Sequence, residues 1–197
     1  MKTYIDGQEY TDDIGNGSAL SILSAVRRRM TETGRVVTEI RLDDVVMDED
    51  AFSGVSGGLA VYFTSRPVRE LVLESLDEAI KYIPRLTRGL DEIALHFEKN
   101  ELAIGEGKLA DGAEGLDWLL QVFQKCSALL AVDADSIGLG FSDLQNSLGD
   151  SINFLGALHS EKQYLKMALC VRQKLVPEIE KFSAHVQRLR DLASSTQ

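Results

Sequence analysis

The chain has 197 residues, of which 44% are hydrophobic, and a formal net charge of −10. That is enough apolar content for a buried core in one domain or two small ones, while the acidic balance disfavours nucleic acid and anionic membrane surfaces, which bind through clustered Lys and Arg. The N-terminus lacks a basic stretch followed by an apolar run and nowhere do about 18 apolar residues follow one another, so neither a signal peptide nor a membrane span is expected and the protein is placed in the cytoplasm.

The first elements read as strands. Tyr4-Ile5 and Gln8 to Thr11 flank Asp6-Gly7, a pair suited to a two-residue hairpin turn. After the polar loop Asp12 to Gly17, Ser18 is placed to cap a helix with Ala19, Leu23, Val26 and Met30 on its apolar face, and Gly34 to end it. Val36 to Leu42 and Val45 to Met47, separated by Asp43-Asp44, predict a second hairpin; a glycine-containing loop then leads to a strand over Leu59 to Thr64, before Pro67 opens a helix. The resulting order ββαβββ resembles a β-grasp (ubiquitin-like) arrangement over about a third of the chain. The resemblance implies a fold and no function.

From residue 67 onward the apolar period changes from two to about 3.6. Ser75 to Glu78 has the spacing of a capping box, followed by a stripe through Ala79, Ile83, Leu86, Leu90, Ile93 and Phe97, with a kink expected at Pro84. A second helix is predicted over 104–130 and a third to about residue 158. Polar residues His159 to Gln163 break the register before a last long segment, in which Pro177 predicts a bend or a break near residue 173. The fold class is therefore α+β: a small β-grasp-like domain over 1–66 and an antiparallel four-helix bundle over 67–197.

Motifs that carry chemistry are incomplete. Gly54-Val55-Ser56-Gly57-Gly58 has the letters of a nucleophile elbow, but precedes a strand instead of joining a strand to a helix. Asp133, Asp135 and Gly138 match the start of a calcium loop, whereas Ile137 and Leu144 stand where oxygen ligands are needed. Gly105-Glu106-Gly107-Lys108 lacks the remaining phosphate-loop positions, and its glycines suit a frayed helix start or close helix packing. A di-iron carboxylate site needs Glu three residues before His, but His96, His159 and His185 follow Ile93, Gly156 and Phe182. Cys126 and Cys170 lie far apart in helical segments and read as buried free thiols. No catalytic residue, metal or cofactor is expected.

With those chemistries set aside, the expectation is a non-catalytic protein-interaction module, an adaptor, regulator or chaperone-like protein whose partner is another protein. Arg27, Arg28 and Arg29 form the one basic cluster and a candidate docking patch. The competing expectation is an enzyme or small-ligand protein with an inter-domain or inter-helix cleft around Asp150, Asn153, His159, Glu161 and Tyr164. The wide apolar face of the first long helix further suggests a homodimer through the helical region.

Overall fold

The structure, a computed structural model, describes residues 1–11, 17–133 and 140–195. Most of the polar loop after Thr11 and the Asp135 to Gly138 part of the calcium-like string lie outside the described residues. The chain divides into two compact units, Met1–Leu71 and Val72–Gln197.

In the first unit β1 (Lys2–Ile5) and β2 (Gln8–Glu9) form a hairpin whose turn residues Asp6 and Gly7 have φ of 49° and 81°. Both positive values are what a two-residue Asp-Gly turn demands. Helix α1 (Ala19–Thr33) is capped by Ser18, which accepts the Ser21 amide, and is closed by Gly34 in the left-handed region. Strands β3 (Arg35–Leu42) and β4 (Val45–Met47) join through Asp43 and Asp44, again both at positive φ.

Where the sequence suggested only a loop, a short helix α2 (Glu49–Ser53) intervenes, capped by Asp48 accepting the Ala51 amide at 2.7 Å. Its reason is Phe52, which is fully buried with its ring edge-on to Phe63 at 5.6 Å. Strand β5 (Ala60–Pro67) is longer than expected; Pro67 ends the strand rather than opening the next helix, a ladder end being where its missing donor costs least.

The sheet order is β2-β1-β5-β3-β4, with β1 and β5 parallel and every other pair antiparallel. This is the β-grasp arrangement. Ala19, Ile22, Leu23, Val26 and Met30 of α1 pack with Ile40, Leu42, Phe52, Val61 and Phe63 into one core.

The second unit is helical: α3 (Val68–Glu98, its first four residues grouped with the first unit), α4 (Leu102–Leu129), α5 (Phe141–Ser160), α6 (Tyr164–Cys170), a π-helical turn (Val171–Leu175) and α7 (Val176–Ser195). The α+β class follows directly. Ser75 is an interior residue of α3, so the expected capping box starts nothing; the helix begins at Val68, whose amide donates to the Gly34 carbonyl. Pro84 lies within α3.

Contacts set the directions of the rods. Glu92 with Lys108 and Tyr82 with Trp118 make α3 and α4 antiparallel. Phe123 with Phe141 and Glu106 with His159 do the same for α4 and α5, and Phe141 with His185 and Ser147 with Glu178 for α5 and α7. Arg172 pairs with Glu98 and Arg190 with Asp77, which lays the last segment along α3. Where a bend or a break is expected near residue 173, the helix continues through a π turn: the Val176 amide reaches back five residues to the Val171 carbonyl, just before Pro177 withholds its own donor.

Candidate functional site

Helix α4 carries four glycines, and three of them face α3. A Cβ at Gly105 would stand 2.6 Å from the Phe97 ring, one at Gly115 would collide with the Tyr82 hydroxyl, and one at Gly112 would stand 3.3 Å from Ile93. Close helix packing is therefore their role, and α4 starts at Leu102 ahead of them, so no helix start is frayed there. Lys108, the lysine of the phosphate-like string, is paired with Glu92 at 2.7 Å.

On its other side α4 walls an apolar groove of about 540 Å³. Leu109, Ala113, Leu116 and Leu120 line it from α4, and Ile152 and Leu155 from α5, with Leu90 and Leu175 also contributing. The polar lining residues Glu106 and His159 lie toward one end and Asp117 toward the other. The lining is mostly apolar with a few polar groups.

At the Glu106 end two of the predicted cleft residues come together. His159 Nε2 lies 3.3 Å from Glu106 Oε1, and the Tyr164 hydroxyl donates to the same oxygen at 2.9 Å. The hydrogen bond to Glu106, then burial and the carboxylate's charge, hold the Tyr164 phenol above its ordinary pKa, so it stays a donor. Between them α5 ends in a Schellman-type turn: Lys162 has φ of 58°, and the Gln163 amide returns to the Leu158 carbonyl. The other cleft candidates do not join this cluster. Asp150 and Asn153 are exposed on α5, and Glu161 accepts from the Gln163 side chain. Glu106 itself was missed because nothing in the sequence ties it to residues more than fifty positions away.

The arginine cluster Arg27, Arg28 and Arg29 lies on α1. All three side chains are on the exposed side of α1, but Arg27 is paired with Glu49 in the first turn of α2. The nucleophile-elbow letters run from the end of α2 into β5, the reverse of the strand-to-helix order that chemistry needs. His96 pairs with Glu101 at 2.6 Å across the α3–α4 turn. Among the described residues no group of three or more His, Cys, Asp or Glu is arranged to hold a metal ion. Nor is any described helix long and apolar enough to cross a membrane.

Residues 74–185, more than half the chain, match the family described as Domain of unknown function (DUF8042). The chain belongs to this family. The DUF8042 segment contains every residue of the groove and of the His159–Glu106–Tyr164 cluster. No curated protein and no solved structure matches the chain.

Proposed function

We propose that this DUF8042 protein is a cytoplasmic protein-interaction module whose helical unit, an antiparallel four-helix bundle, receives an amphipathic helix of a partner protein. The observation that carries this reading is the length of the apolar groove. Along α4 it runs from Glu106 to Leu120, which at 1.5 Å per residue is about 21 Å, or four helical turns. A trough of that length suits side chains spaced i, i+3/i+4 and i+7 on a docked helix, whereas a compact ligand fills a fraction of it. Glu106 and Asp117 favour basic residues on the occupant at both ends.

The test uses a labelled Leu/Lys amphipathic peptide of about five turns, followed by fluorescence anisotropy. The expected result is saturable binding, weaker for a scrambled peptide of the same composition and weaker by about tenfold in Ile152→Glu, a partly exposed wall position that can change without opening the core. Equal binding of the scrambled peptide, or no effect of Ile152→Glu, overturns the reading.

The convergence of His159 and Tyr164 on Glu106 favours a second reading, a small-ligand or enzyme site with this cluster holding a polar head group. It requires that His159→Phe alter the binding of a small apolar probe such as Nile red while leaving the peptide unaffected.

A further inference from the structure

A second cavity, of about 460 Å³, lies between α5 and α7, away from the groove and independent of its reading. Glu178 and His185 line it and are among the most deeply placed polar residues of the chain, 8% and 4% exposed. Each has one polar atom without a partner among the described residues: Oε2 of Glu178 and Nε2 of His185. Orphaned buried polar atoms are costly and uncommon, and here the two residues that carry them line one cavity.

Their chemistry fixes what could satisfy them. Glu178 Oε1 already accepts the Ser147 hydroxyl, which leaves Oε2 as a bare acceptor. His185 Nδ1 lies 3.2 Å from the Lys181 carbonyl, and since a carbonyl can only accept, Nδ1 carries the proton and the Nε2 of the neutral ring is an acceptor too. Asp143 also lines the cavity, and among the described residues Lys181 is the one lysine or arginine lining it, so there carboxylates outnumber cations two to one. The ring of His185 packs against Phe141 and Phe182, and Leu144 and Ala184 give the cavity an apolar side. Oε2 and Nε2 are shielded from bulk water, but a carboxyl turns readily about its terminal bond and can present Oε2 to an occupant.

We propose that this cavity binds a small organic cation with N–H donors, an alkylammonium or alkylguanidinium group, held by Glu178 and His185 with Asp143 adding charge. Two acceptors call for a ligand that donates twice, and the excess of carboxylates calls for a positive one.

The experiment titrates the full chain at constant ionic strength with n-butylammonium and n-butylguanidinium chloride, with tetramethylammonium as a cation lacking N–H. Calorimetry gives the affinity, and the imidazole nitrogen NMR resonances report on His185. Expected are one-to-one saturation by at least one donor cation, a shift confined to His185 among the histidines, and binding about tenfold weaker for tetramethylammonium. Glu178→Gln keeps the shape and the Ser147 contact and should weaken binding by about tenfold; Lys181→Glu, at an exposed rim position that does not bear on folding, should tighten it severalfold. Absence of saturable binding, equal binding of tetramethylammonium, or indifference to Lys181→Glu overturns the proposal, as does an unchanged affinity in folded Glu178→Gln.

Discussion

Asp6 and Asp43 hold equivalent places in the sheet. Each is the first residue of a two-residue hairpin turn, and each reaches back to an end of β5. Asp6 accepts the Ser65 amide and hydroxyl, both at 2.7 Å, and pairs with Arg35; Asp43 accepts the amides of Leu59 and Ala60. Burial alone would raise the Asp6 carboxyl, but the bonds from Ser65 and the Arg35 charge outweigh it and hold it below its ordinary value; the Ala60 and Leu59 amides lower Asp43. A depressed carboxyl stabilises the fold above its unfolded pKa, near 3.9, and that contribution is lost as pH falls through the folded value. Asp6→Asn, which tolerates the same positive φ but carries no charge, should therefore cost about 1 kcal/mol at pH 7, a figure discounted for the exposure of the pair, and its deficit against the parent chain should shrink below about pH 4. Urea denaturation at both pH values checks this; a deficit that persists at low pH refutes the electrostatic account. The turns were legible as Asp-Gly and Asp-Asp pairs, but their grip on β5 was not, because it joins residues up to 59 positions apart. The thiols were legible too. Burial lifts Cys126 to about 11 and raises Cys170, so Ellman's reagent should label neither at neutral pH until denaturant is added.

Helix α4 shows how one residue type serves opposite ends within one element. Gly107 has nothing near its missing Cβ, while Gly105 two positions earlier abuts the fully buried ring of Phe97. Gly107→Ala should stabilise by about 0.5–1 kcal/mol through helix propensity, whereas Gly105→Ala should destabilise by about 1–3 kcal/mol because overpacking outweighs the same propensity gain. Opposite shifts in the urea midpoint are the expected outcome, and shifts of one sign would remove the packing argument. Periodicity made the long helices legible to within a few residues. It failed at α2, where five residues are too few to show a period and the glycines after it read as loop. It also passed over Glu178 and His185: asking only for Glu three residues before His discards a pair seven apart, although seven residues are two turns and return to the same face.

At the scale of the whole molecule the question is whether one chain suffices. The case for a homodimer rested on a face of α3 too wide for a single seam, with Ala79, Leu86 and Ile93 beside Ile80, Ile83, Leu90, Ala94 and Phe97. All but the half-buried Ile80 are buried within the chain, none of the other seven more than 4% exposed, because α4 on one side and the last helical segment on the other cover the two halves of that face. The stripe thus leaves little apolar area for a second copy, and a formal charge of −10 adds repulsion between copies. Remaining exposed apolar residues include Leu165 and Leu169, one turn apart on α6, a smaller feature than a stable dimer needs. Sedimentation equilibrium on the full chain at micromolar concentration should therefore return a monomer of 21.7 kDa. A dimer mass that survives high salt but collapses in the double variant Leu165→Glu/Leu169→Glu would defeat this argument and locate the interface on α6; a dimer indifferent to that variant but broken by Ile152→Glu would mean that a second copy occupies the α4–α5 groove.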